Sequence, residues 1–263
     1  MSEDGDNFLQ SFDWSELVRR VRSRTPARLL TGRAGAGYRT STQLELREAH
    51  AAARDAVRAE LDIQRDLGSV VAQYKLFEVR TAATSKDEYL LRPDLGRQFS
   101  PESRARIMER CRRECQLQIA LGDGLSVTAL AAQAPPLLTA LLEGAEQRNW
   151  SVGQIFVVRY CRVGILNEIG EFLAPQVSVL LIGERPGLAT AESLSAYMAF
   201  QPRSGHTDAD RNLISNIHAR GVPAETASAR IINFAAQLVN AGRSGATVKE
   251  QLAREHQQAL SQP

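Results

Sequence analysis

In the second half of the chain, short apolar runs alternate with segments of helical character, and that alternation limits the fold more than any other feature. Runs at 116–121, 155–160, 177–182 and 196–200 are nearly continuous in apolar residues. Such runs read as strands covered on both faces. Between them fall helices over 101–114 (Ser100 as N-cap, Pro101 at the first position), 127–132, 137–147 after Pro135-Pro136, and 165–173. A further short strand at 212–217 precedes a helix over 224–241. The predicted class is α/β: a mainly parallel sheet with helices on both faces, Rossmann-like, occupying 99–263. With right-handed crossovers, the ligand crevice lies outside the carboxyl ends of the strands. The loops expected to matter are therefore 122–126, 161–163, 183–187 and the region 210–216.

The first part, 1–98, reads as a smaller, mostly helical region with short strands. Phe8, Leu9, Phe12, Leu17, Val18 and Val21 recur near helical spacing, and Asp13 with Glu16 resembles a capping pair, predicting a helix over 8–24. Pro26, Gly32, Gly35 and Gly37 make 25–41 irregular. Gly32-Arg33-Ala34-Gly35 invites a phosphate-loop reading, but no G-K-[ST] follows it. The stretch 42–65 has no Gly or Pro and is rich in Ala, Leu, Glu and Arg, which predicts a helix. Short strands are expected at 77–81 and 88–91, followed by a turn at Arg92-Pro93-Asp94-Leu95-Gly96-Arg97.

Charge and composition remove several function classes. The 32 basic and 30 acidic residues leave a net charge of +2, which gives no electrostatic basis for wrapping nucleic acid. Twenty-nine of the basic residues are Arg and three are Lys, but acids are interleaved throughout, as expected of a compositional preference. The longest apolar run, 177–182, falls far short of the roughly 20 residues of a bilayer-spanning helix. The acidic 1–7 stretch does not resemble a secretory signal, and three cysteines without C-x-x-C spacing do not form a disulfide framework, so a reducing cytoplasm is expected.

Conventional catalytic machinery is sparse. His50, His206, His218 and His256 lack metal-site spacing, although His206 and His218 are open to meeting in space. Cys111 and Cys115, four apart, would share a helix face; two buried apolar side chains are favoured over a redox or metal pair. Ser126 lacks the G-x-S-x-G of a nucleophile elbow and is expected to cap the following helix, whose amides would remain open to a polar ligand group. Glu184, between Gly183 and Pro186-Gly187, is the sharpest candidate. It either presents an acceptor to a ligand in the crevice, or forms an ion pair with Arg185 or Arg162 that holds the loop.

Read in order, these loops carry a resemblance. Thr31-Gly32-Arg33-Ala34-Gly35, Arg92 to Arg97, Asp123-Gly124-Leu125-Ser126, Val158-Arg159-Tyr160, Arg162-Val163, Ile169-Gly170-Glu171, Gly183-Glu184-Arg185-Pro186-Gly187-Leu188, Asp210-Arg211-Asn212 and Ile214-Ser215-Asn216-Ile217-His218 together resemble the small (light) subunit of ethanolamine ammonia-lyase over roughly 25–241. The resemblance implies a carbon–nitrogen lyase that converts ethanolamine to acetaldehyde and ammonia by radical chemistry of adenosylcobalamin, coenzyme B12, a cobalt cofactor. It implies a large (heavy) barrel subunit as partner, a heterododecamer, and a cytoplasmic location with packing inside a bacterial microcompartment left open. The light subunit would complete the cobalamin site and supply no catalytic residue or metal ligand.

Three positions carry over as cobalamin contacts: Val163, Glu184 and Leu213. Leu213 stands where the family usually has Cys, and Cys161 where it typically has Gly. If the backbone at 161 needs a positive φ, Cys161 would be strained. These departures leave room for a non-catalytic paralogue or scaffold, or for a lyase of altered substrate. A self-contained nucleotide-binding enzyme is disfavoured, because no G-x-G-x-x-G follows the first strand.

Overall fold

The computed structural model describes residues 13–25, 27–187 and 190–251. Phe8, Leu9 and Phe12 of the expected first helix lie outside them. The helix itself, α1, is seen over Trp14–Arg24, with the Asp13 carboxylate accepting from the amides of Ser15 (2.9 Å) and Glu16 (3.1 Å).

The expected 42–65 helix is two helices. α2 spans Thr40–Arg58, and α3 (Ile63–Leu67) restarts behind Asp62, whose carboxylate accepts from Gln64 and Arg65. An Asp competes with helix interior by capping, and here the cap wins. Gly68, at φ +57°, then separates α3 from α4 (Ser69–Gln73).

A second correction concerns 88–91, which is not a strand but the end of helix α5, Lys86–Leu91. Ser85 caps it, and the Glu88 carboxylate receives both the amide and the hydroxyl of Thr84, so local capping outvotes a four-residue alternation. α6 covers Pro101–Arg110 behind Ser100 and stops at Cys111, short of 114.

The third correction is that Pro135 and Pro136 do not divide a helix pair; both sit inside one helix, α7, Val127–Gln147. Each interior proline costs about 3 kcal/mol. Leu130, Leu137, Leu138 and Leu141 are fully buried along the same helix. Burial is worth about 1.5–3 kcal/mol per side chain, so packing overrides the local break.

Six strands form one sheet in the order β1-β3-β2-β4-β5-β6: β1 Phe77–Arg80, β2 Leu117–Gly122, β3 Phe156–Arg159, β4 Val177–Gly183, β5 Leu194–Phe200 and β6 Asn212–Ile217. Pairings among the first four strands are parallel, whereas β4–β5 and β5–β6 are antiparallel. The sheet is thus mixed α/β and mostly parallel. Every residue of β2 and β4 is buried, as their continuous apolar runs require. Side chains alternate between two cores. Leu117, Ile119 and Leu121 pack on one face beneath α7 and α9 (Ala224–Ala241), while Ala120, Phe156 and Leu180 pack on the other beneath α6 and α8 (Leu166–Leu173). No helix among the described residues is long and apolar enough to cross a membrane.

Candidate functional site

The loops after β2, β3 and β4 converge at the carboxyl edge of the parallel strands, where they open onto a cavity of about 340 Å³. Leu125, Val163, Ile182 and Leu213 contribute to its apolar lining, and Glu184, Arg162, Arg185 and Ser195 are among its polar groups. The structure therefore brings Val163, Glu184 and Leu213 together, from three separate segments.

The backbone around the cavity is knotted together by buried polar groups. Asp123 is fully buried, and its two carboxylate oxygens accept from the amides of Tyr160 and Cys161, each at 2.9 Å. Burial pushes this carboxyl up, against the opposing pull of the Lys86 ammonium and the two amides. Lys86 is itself buried, with Nζ 5.4 Å and 6.0 Å from the ring centres of Tyr89 and Tyr160. The Tyr89 hydroxyl donates to the Cys161 carbonyl at 2.9 Å. Gly124 and Gly183 let the β2 and β4 loops cross: a Cβ on Gly124 would lie 2.3 Å from the Gly183 carbonyl oxygen.

Cys161 is not the strained position. The positive φ belongs to Tyr160 (+61°), and Cys161 points inward, occupying the space left by Gly122. Ser126 caps α7 as expected, accepting from the Ala129 amide and donating to the Ala191 carbonyl at 2.6 Å. Being fully buried there, it closes the helix end to a ligand.

Glu184 resolves its two readings on geometry. Among the described residues it forms no ion pair with Arg162 or Arg185. Arg162 lies over the Tyr89 ring, 4.3 Å from its centre. The Glu184 carboxylate accepts instead from the hydroxyls of Ser193 and Ser195, both at 2.6 Å, and from the Asn216 amide at 2.9 Å. Those serines escape a sequence reading, because they meet Glu184 only through the antiparallel β4–β5 register, which pairs Ile182 with Ser195.

The 210–216 region divides. Leu213, 44% exposed, and Ser215 reach the cavity from β6, whereas Arg211 lines a different cavity with Asn167 and His206. His206 and His218 are not brought together. His206 lies before β6, while His218 follows it, its Nε2 2.8 Å from Asn216 Oδ1.

Cys111 and Cys115 do not share a helix face, since α6 ends at Arg110; both are buried and free. Burial pushes the Cys111 thiol up to about 12 and raises Cys115 and Cys161 as well. The thiolate is the reactive form. Iodoacetamide at pH 8 is therefore expected to leave the native chain unlabelled and to label all three cysteines after unfolding, which mass spectrometry would read directly.

A family model described as "Ethanolamine ammonia-lyase light chain (EutC)" matches residues 15–249. The chain is similar to proteins named ethanolamine ammonia-lyase small subunit from several bacteria. It is 42% identical to that of Clostridium perfringens over 234 residues, covering 89% of this chain and 78% of the relative. Against the Clostridium acetobutylicum protein it is 37% identical over 245 residues, covering 93% and 99% respectively. Against that of Listeria monocytogenes serotype 4a the identity is 40% over 230 residues, covering 88% and 77%. The family model and these relatives place the chain in the ethanolamine ammonia-lyase light-chain family.

Proposed function

We propose that this chain is the light subunit of an adenosylcobalamin-dependent ethanolamine ammonia-lyase, and that the cavity around Glu184 forms one wall of the cobalamin site. The observation that carries this reading is the juxtaposition at the cavity: a held carboxylate beside the apolar surfaces of Val163 and Leu213. A corrin is a broad, largely apolar ring fringed with amide side arms. Apolar side chains suit its face and edge, and a carboxylate suits an amide N–H, so the residues present fit the group.

When bound, adenosylcobalamin supplies radical initiation through homolysis of its cobalt–carbon bond. This chain's own part is to bind, orient and shield. Val163, Ile182 and Leu213 exclude water from the side they cover, while Glu184 accepts a ligand hydrogen bond. The Asp123 clamp keeps 160–163 in place. The cavity is open, and a larger partner subunit closes the opposite side and holds ethanolamine.

The test is ammonia release from ethanolamine with adenosylcobalamin, using this chain with and without its large subunit, wild type against Glu184→Ala. Turnover is expected only with both chains. A charge-assisted hydrogen bond is worth about 1.5–3 kcal/mol, so the substitution is expected to weaken cobalamin binding about 10- to 100-fold. An assembled complex without turnover would favour the non-catalytic paralogue, with Leu213 and Cys161 as the departures to examine.

A further inference from the structure

A carboxylate offers about four acceptor positions, two on each oxygen. In Glu184, Oε1 is used twice, by the Ser195 hydroxyl and the Asn216 amide, and Oε2 once, by the Ser193 hydroxyl. One acceptor position is left, on Oε2. The backbone reinforces this arrangement, because the Glu184 amide donates to the Ser193 carbonyl at 3.0 Å. Ser193 and Ser195 are 8% and 4% exposed, so water does not compete freely for their hydroxyls. Both O–H···O contacts have the short distance of bonds to an ionised acceptor.

We propose that Ser193 and Ser195 are positioning residues that orient Glu184 so that it presents a single fixed acceptor to a ligand N–H. This rests on the reading of the cavity as a cobalamin wall, where that N–H belongs to a corrin amide arm. The clamp does two things for binding. It removes the rotamer freedom that a glutamate would otherwise lose when the ligand arrives. It also fixes what that position takes: three donors already converge on the carboxylate, so the remaining lone pair on Oε2 is left for one further donor.

The test is a double-mutant cycle in the assembled two-subunit complex. Its variants are Ser193→Ala, Ser193→Ala with Ser195→Ala, Glu184→Ala, and all three changes together. Cyanocobalamin affinity is followed by absorbance, and kcat and KM for ethanolamine are measured separately. The paired serine change is expected to weaken cyanocobalamin binding about 10-fold and Ser193→Ala alone about 3-fold, with KM for ethanolamine unchanged. On the Glu184→Ala background the serine changes are expected to cost nothing further, since their effect runs through the carboxylate. Ser193→Cys, which keeps a weak donor, should fall between Ser and Ala.

Serine losses that persist undiminished without Glu184 would overturn the positioning role while leaving the cobalamin reading intact. So would paired alanines that assemble and bind cyanocobalamin like wild type. Unchanged binding in Glu184→Ala would overturn both. If the paired variant fails to assemble, the single Ser193→Ala and Ser193→Cys variants decide.

Discussion

Asp123→Asn is expected to lower the melting temperature by about 10 °C and to free residues 160–163 from the cavity wall. The two carboxylate oxygens each take one backbone N–H, from Tyr160 and Cys161. Asn offers one carbonyl oxygen, so its NH2 group is forced against the second N–H, which is left without an acceptor in a fully buried position. Each buried donor left without an acceptor costs about 1–3 kcal/mol, and the change sets two of them against each other. For a chain of this size each kcal/mol corresponds to about 2–4 °C. The Tyr160 backbone, at φ +61°, is held in a region that costs a non-glycine residue about 1–3 kcal/mol, and it relaxes once the clamp is gone. Calorimetry gives the first number, and faster amide exchange at Tyr160 and Cys161 the second. A melting temperature within about 2 °C of wild type would contradict this account of the loop.

Gly183→Ala is expected to be about as damaging, for a steric reason. A Cβ at this position would sit 2.0 Å from the Ser126 carbonyl oxygen and 2.8 Å from that of Asp123. Both are backbone atoms in loops that are themselves tied down, so no side chain can swing aside. Forcing them apart costs about 3 kcal/mol or more. The displacement falls one residue before Glu184. The expected result is therefore a lower melting temperature together with a loss of cyanocobalamin affinity in the assembled complex, larger than that of Glu184→Ala. Retained affinity would show that the β4 loop tolerates movement which the packing disallows.

Much of this architecture is legible in the amino-acid sequence. The strands at 155–160, 177–182 and 212–217 and the helix over 224–241 stand close to where their patterns put them, because long periodic or fully apolar segments leave little choice. Segments decided by few residues were less legible. The apolar alternation at 88–91 is too short to oppose the Ser85 and Thr84 caps, and Pro135-Pro136 yields to four buried leucines.

Strand direction was a different matter. Among the described residues the connection from β4 to β5 holds no helix, and without a crossover helix adjacent strands pair antiparallel. That signal is present in the sequence, and the expectation of a mainly parallel sheet did not say which strands would be the antiparallel ones.

The same fact explains what was readable in the site. Glu184 and Gly183 announce themselves by position at the end of an apolar strand. Ser193 and Ser195 do not, because only the reversal of the chain folds them back onto the carboxylate. Asp123 was visible within its loop, but its role depends on parallel neighbours, β2 and β3, whose pairing no local pattern specifies.

The two carboxylate anchors have an evolutionary consequence. Asp123 fastens the β3 loop and Glu184 is fastened to β5 and β6, so the shape of the wall is set by groups that differ from those forming its lining. Leu213 is 44% exposed and leaves both sets of bonds untouched. A side chain at a position of this kind can change while the bonds behind it stay intact. Selection can thus retune the surface offered to a bound molecule one side chain at a time, without re-solving the fold.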